Sequence, residues 1–242
     1  MNDTIRLPSF IAPLRAIVVG GGGIGAAVST ALKASPDVGE VICLSRRPTV
    51  DFALDVTDEA SIMAAADVVK AGGPVDLVFV ATGMLHDEKV SPEKSLSALS
   101  PEAMAHLYQV NTIGPAMVAK HFLPLLAKDR KTVFAALSAR VGSIGDNRLG
   151  GWHSYRASKA ALNMMIKTMS VELQRRNPDA MIVGLHPGTV ATELSAPFQK
   201  GVPERKLFTP DRSARAMLGV LDGLTAEDIG VQFAWDGARV PE

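Results

Sequence analysis

Apolar residues fall into two alternating kinds of segment along the chain. Short, nearly continuous runs rich in β-branched residues predict strands at 16–20, 40–45, 51–56, 75–83, 131–138, 180–188 and 230–237. Longer alanine-rich segments, with apolar positions at helical spacing, predict helices at 24–34, 58–73, 101–110, 112–128, 154–176 and 210–223. The 58–73 segment has acids at its start and glycines at its end, as capping and the helix dipole favour. Continuous apolar strands, as opposed to half-polar ones, indicate a parallel sheet covered on both faces. No linker or repeat interrupts the alternation. The expectation is one doubly wound α/β domain of about seven strands over residues 14–242, preceded by a short irregular arm at 1–13.

Composition narrows the partners. With 25 basic and 25 acidic residues, nothing points to nucleic acid or an anionic membrane. Cys43 is the only cysteine, which excludes a disulfide framework and cysteine-based zinc clusters. The five histidines show no ligand spacing, and no metal is expected. No apolar run approaches the ~20 residues of a membrane span. The first residues, with an acid and two prolines, do not resemble a signal peptide, so a cytoplasmic protein is expected.

Ligands of doubly wound sheets bind beyond the carboxyl ends of the strands. There the first strand runs into VVGGGGIGAA, in which Gly20, Gly22 and Gly25 satisfy G-x-G-x-x-G between a strand and a helix. Glycines let the backbone turn tightly beside a pyrophosphate, and a helix N-terminus attracts it. This predicts a dinucleotide site of Rossmann type. The second strand ends at Ser45, Arg46 and Arg47, without the acid that would take a ribose 2′-hydroxyl; guanidinium groups suit a 2′-phosphate. NADP is therefore expected over NAD. Asp55, with Val56 at the end of the third strand, has two readings: a partner for the adenine amino group or a helix cap.

SYRASK, residues 154–159, places Tyr155 four residues before Lys159. On a helix they share one face, about 6 Å apart. A free phenol has a pKa near 10 and is mostly the wrong species to act as a base at pH 7. A neighbouring ammonium favours its ionised form. The pair has a purpose where a hydroxyl proton must leave together with a hydride.

These residues carry a family resemblance over essentially the whole chain. The sequence resembles the short-chain dehydrogenases/reductases, in which Tyr155 and Lys159 match Y-x-x-x-K, Ser138 the substrate-orienting serine and Asn111 the asparagine that kinks a helix and holds a relay water. LHPGTVATEL (185–194) matches P-G-x-V-x-T. The resemblance implies that Val190 and Thr192 contact the nicotinamide end, that Pro187 and Gly188 also bind the cofactor, and that Ala81, Thr82 and Gly83 follow the fourth strand beside it. It also implies a homodimer or homotetramer through helices 112–128 and 154–176, with Ala116, Ala119, Ala161 and Met165 among the small and apolar residues there.

The chain departs from the family pattern in places. Gly23-Ile24-Gly25 fits the end of T-G-x-x-x-G-x-G, but Val18 and Val19 stand where Thr and the first Gly belong. N-N-A-G is replaced by Val80-Ala81-Thr82-Gly83, with Thr82 expected to cover part of the lost asparagine pair. Ser138 precedes Tyr155 by 17 positions, implying a longer loop. SARVGSIGDNRLGGWHSYRASKAALN and FAWDG resemble the C-factor (cell–cell signalling) branch. The expected function is NADP-dependent interconversion of a carbonyl and a secondary alcohol; the alternative is a cofactor-binding signalling protein with little turnover. Loops 84–98, 139–153 and 193–209 are expected to shape the substrate pocket.

Overall fold

The computed structural model describes residues 4–46 and 51–242. Seven strands form one parallel sheet: β1 (Leu14–Val19), β2 (Val38–Ser45), β3 (Phe52–Ala53), β4 (Leu77–Val80), β5 (Thr132–Leu137), β6 (Ala180–His186) and, last in the chain, β9 (Gln232–Ala234). Two short strands, β7 (Thr189–Val190) and β8 (Leu207–Phe208), pair with each other and bracket the 193–209 loop. The periodicity gave no sign of them, because two-residue strands carry no period. The six helices are α1 (Gly23–Lys33), α2 (Glu59–Ala71), α3 (Pro101–Tyr108), α4 (Gly114–Phe122), α5 (His153–Gln174) and α6 (Pro210–Gly223). The α4 helix ends earlier than the sequence suggests: Pro124 lacks the N–H an α-helix needs, and a tight 3₁₀ turn, Leu123–Leu125, replaces the last residues.

The strand order is β3-β2-β1-β4-β5-β6-β9. The order reverses between β1 and β4, which opens a crevice beyond their carboxyl ends. Both sheet faces are covered. Helices α2, α4 and α5 bury one face, around Ile62, Phe122, Phe134, Leu162 and Ile166; α1 and α6 bury the other, around Leu32, Phe79, Met217 and Leu218.

Residues 4–13 form no helix or strand, yet they are firmly packed. Leu7 is fully buried and Phe10 nearly so, both in the α1/α6 core. Arg6 pairs with Asp37, which also accepts the Leu7 N–H at 2.7 Å, and the Ser9 N–H bonds Asp222. Lys131 donates to Ser9 Oγ and to the carbonyls of Asp222 and Leu224, tying the arm to the end of α6.

Candidate functional site

At the crevice, β1 leaves the sheet through Gly20 (φ 114°), a conformation that favours glycine. Gly22 starts α1 as its N-cap. Gly25 lies so close to the turn that a Cβ there would sit 1.9 Å from the Gly20 carbonyl oxygen. The turn that is one residue short of the family pattern thus still folds as a strand–turn–helix. Ile24 packs at the edge of the α1/α6 core. Two further segments close on the turn: a Cβ on Gly20 would meet Ala81 and Thr82 at 3.1–3.2 Å, and one on Gly23 would meet Thr192 at 2.9 Å. Gly20–Gly25, Ala81–Gly83 and the Pro187–Thr192 segment, far apart in sequence, are brought together. Val190 is buried, and Pro187 accepts the Ser213 hydroxyl.

Ser45 is buried at the end of β2 and Arg46 is exposed beyond it; Arg47 lies outside the described residues. Asp55 does not cap α2, a role taken by Asp58. Its Oδ1 accepts the N–H and hydroxyl of Thr57. Burial works against its charge, but those bonds and the nearby Arg46 hold its carboxyl below the usual range. Val56 is buried against Gly114 at the start of α4. Thr82 does not cover for the missing asparagines: its Oγ1 is buried without a hydrogen-bond partner among the described residues. A partnerless hydroxyl beside a glycine turn, with open space in front of Gly22, fits a polar ligand laid along the crevice. The residues present thus fit a dinucleotide.

Helix α5 carries the candidate chemical groups. Tyr155, Lys159 and Asn163 stand at i, i+4 and i+8 and share one face. The end of β5 meets this stripe: Lys159 Nζ donates to the Leu137 carbonyl at 2.8 Å, Ser138 Oγ donates to Asn163 Oδ1 at 2.7 Å, and Tyr155 shares an apolar cluster with Ala139. Asn111 lies in a π-helical turn, Gln109–Ile113, between α3 and α4. The wider turn carries its side chain inward, where Nδ2 donates to the Met84 carbonyl and Ser158 Oγ, and Oδ1 accepts the Met84 N–H. A Cβ on Gly83 would lie 3.5 Å from Lys159 Nζ and 3.7 Å from Asn111 Oδ1, so glycine leaves a gap between the two.

Burial governs the charges. Tyr155 and Lys159 are 8% and 2% exposed. Desolvation pushes the Tyr155 phenol up to about 12 and the Lys159 ammonium down to about 7. In the cofactor-free protein the lysine is therefore a weaker cation than the sequence implies, and the phenol keeps its proton at neutral pH. Between about pH 7 and 10, unfolded chains hold the Lys159 proton and folded ones do not. Stability of the cofactor-free protein is thus expected to rise across this window, by up to ~1.4 kcal/mol per pH unit, until Tyr155 ionisation in the unfolded chain reverses the trend. Lys159→Met should flatten the rise; thermal unfolding of both proteins across this pH range checks it.

The three loops without readable chemistry meet around Tyr155. Trp152 is the one non-glycine residue with positive φ (52°) among the described residues. Its N–H donates to the Glu93 carbonyl at 2.6 Å, while the Glu93 carboxylate accepts the N–H and hydroxyl of Ser154 at the start of α5. Burial opposes the Glu93 charge, yet the Ser154 bonds hold its carboxyl below the usual range. Trp152 meets Tyr155 edge to face at 6.3 Å and Phe198 of the 193–209 loop at 5.1 Å, and Phe198 meets His86 of the 84–98 loop at 5.6 Å. Sequence reasoning missed Glu93, Trp152, Phe198 and Asn163. Only Asn163 left a signal, as the next residue on the Tyr155–Lys159 stripe. His186 ends β6 beside Ser138; burial and Arg140 push it down to about 4, so it stays neutral. His153 lines a separate surface cavity of about 420 Å³ with Val141 and Arg156.

A family model described as short chain dehydrogenase matches residues 15–202. A Rhodococcus protein, 1-hydroxy-2-glutathionyl-2-methyl-3-butene dehydrogenase, is 33% identical over 183 residues, covering 75% of each chain. C-signal of Myxococcus xanthus is 40% identical over 139 residues, 57% of this chain and 78% of its own. The NADPH-bound carbonyl reductase from chicken fatty liver has a superposable fold, with a TM-score of 0.83 and 28% identity, covering 94% of this chain and 98% of its own.

Proposed function

The chain belongs to the short-chain dehydrogenase family, an oxidoreductase acting on CH–OH groups with NAD(P), and from that premise we propose that it is an NADP-preferring carbonyl reductase/alcohol dehydrogenase with Tyr155 as its acid/base. The observation that carries this reading is the convergence of the α5 stripe with Ser138 at the end of β5 and with Asn111, bonded to Ser158 of α5 and to Met84 next to the Gly83 gap. The cofactor, held along Gly20–Gly25, Ala81–Gly83 and Pro187–Thr192, would supply or accept the hydride. Tyr155 gives its proton to the substrate oxygen in reduction and takes it back in oxidation. Ser138 orients that oxygen. Lys159 holds the nicotinamide ribose and adds positive charge beside the phenol. The Gly83 gap between Lys159 and Asn111 offers room for the water that feeds protons inward.

The surroundings of Tyr155 support an uncharged substrate. Met84, Leu85, Val141, Trp152, Leu194 and Phe198 gather around it, and a substrate charge placed there would lose its hydration without compensation. Following cofactor oxidation with aldehydes, ketones and quinones, each with a carboxylate-bearing analogue, tests the reading: turnover confined to neutral members supports it, and none with any carbonyl defeats it. The signalling alternative gains no specific support at the site, since a sensor has no use for a complete set of Tyr155, Lys159, Ser138 and Asn111.

The NADP preference is supported by Arg46, exposed beyond β2 with no acid at the strand end, and by the NADPH in the carbonyl reductase of similar fold. Calorimetry is expected to show NADPH bound tighter than NADH by about tenfold or more, the worth of a charge-assisted bond to phosphate. Replacing Arg46 and Arg47 together by Ala should erase the difference. Tighter NADH binding by the unmutated protein overturns the preference.

Assembly through α4 and α5 also belongs to this reading, with Ala161 and Met165, both half-buried on α5, left of the four expected contact residues. Ala116 and Ala119 are buried inside the fold, whereas Ile113, Met164 and Val171 are 42%, 66% and 47% exposed. A dimer or tetramer by light scattering at micromolar concentration is the expected result, with Met164→Glu shifting it toward monomer. A wild-type monomer counts against it.

A further inference from the structure

Asn163 stands one turn beyond Lys159 and bridges the site to the sheet edge. It accepts the Ser138 hydroxyl at 2.7 Å and donates from Nδ2 to Gln232 Oε1 on β9 at 2.9 Å. Ser138 and Gln232 are 4% and 8% exposed, so water competes little for these bonds. Gln232 Nε2 is buried without a partner among the described residues. In this polarity Ser138 spends its one proton on Asn163 and offers a substrate only lone pairs. That suits an alcohol, which donates a hydrogen bond, and fails a carbonyl, which must accept one. Turning both amides by half a rotation leaves the heavy-atom positions of the network unchanged. Asn163 then donates to Ser138, Gln232 donates to Asn163, and the Ser138 proton is free for a carbonyl oxygen. The turn also exchanges a buried N–H without a partner for a buried carbonyl without one, the less costly of the two.

We propose that Asn163 and Gln232 form an amide relay that sets the hydrogen-bond polarity of Ser138, as positioning residues for the substrate oxygen. The proposal rests on the reading of Ser138 as the partner of that oxygen.

The test is Gln232→Glu, assayed at mildly alkaline pH. A carboxylate only accepts, so it holds Asn163 Nδ2 toward residue 232 and Oδ1 toward Ser138, and consumes the Ser138 proton. The variant is expected to keep its NADPH affinity, with a lowered unfolding temperature from the buried carboxylate, while kcat/KM for carbonyl reduction falls about tenfold, the worth of one hydrogen bond. Asn163→Leu neither accepts nor donates, so it leaves the Ser138 proton free and should keep most of the carbonyl reduction. In a Ser138→Ala background neither change should matter further, because the group they act through is gone. Full activity in Gln232→Glu, or the same loss in both backgrounds as a purely structural role would give, overturns the relay. Should Gln232→Glu fail to fold, Asn163→Asp carries the test, since it too can only accept from Ser138. The two levels separate: Ser138→Ala with full turnover sinks the reading of the site and the relay with it, whereas a loss in Ser138→Ala with silent Gln232→Glu and Asn163→Asp sinks the relay alone.

Discussion

Tyr155→Phe is expected to fold, to bind NADPH as well as the unmutated protein, and to lose between about 10² and 10⁴ of its carbonyl-reducing turnover, the range typical of lost acid/base help. Folding should survive because the ring and its edge-to-face contact with Trp152 remain. The removed oxygen takes part in no hydrogen bond with the described residues, so no partner is stranded by its loss. Turnover should fall because the phenol is the group proposed to pass the proton to the substrate oxygen, and the phenyl ring has none to give. Lys159→Met should also weaken NADPH binding. The two substitutions combined should cost far less than the product of their separate effects, since both act on one proton transfer. Single-turnover rates, with binding followed by cofactor fluorescence, check all of this. Wild-type turnover in Tyr155→Phe would remove the phenol from the mechanism.

Gly25→Ala is expected to abolish measurable cofactor binding and to destabilise the fold. The new methyl group would lie 1.9 Å from the Gly20 carbonyl oxygen, and that oxygen is backbone, which cannot swing aside. Either α1 moves off the turn or the turn opens, and both disrupt the cradle that the short glycine loop builds. Overpacking of this kind costs about 1–3 kcal/mol of stability. A hundredfold or greater loss of NADPH affinity corresponds to only ~2.7 kcal/mol, so a modest displacement of the helix N-terminus is enough. Gly22→Ala is the control for folding, because nothing among the described residues lies within 4 Å of a Cβ there, although its methyl group would enter the space proposed for the cofactor. Thermal unfolding of the pair checks the contrast, with calorimetry following NADPH in Gly25→Ala; equal unfolding temperatures in both variants would show that the close approach at Gly25 does not matter.

The class of fold was legible because parallel strands covered on both faces leave continuous apolar runs, and every strand of the large sheet coincides with one of them. The proposed catalytic positions were legible because each is tied to a backbone event with a local signal: Ser138 follows a strand, and Tyr155 and Lys159 stand one helical turn apart. Trp152 and Phe198 were not legible. They belong to different loops, and only the fold brings their rings to 5.1 Å. The packing of the arm was hidden for the same reason, since Leu7 and Phe10 look like scattered apolar residues until the open end of the α1/α6 core is in view.

The sequence by itself determined the alternation of strands and helices, the glycine turn after β1, the basic end of β2 and the Tyr155–Lys159 stripe, because period, turn chemistry and charge are properties of neighbouring residues. The tertiary structure decided what each group is able to do. It buried Lys159 and so lowered the charge proposed to tune the phenol, left the Thr82 hydroxyl without a partner among the described residues, turned Ala116 and Ala119 inward, and joined Ser138 to Asn163 and Gln232. Desolvation and hydrogen-bond partnership depend on which distant segments meet, and no local pattern in a chain encodes that.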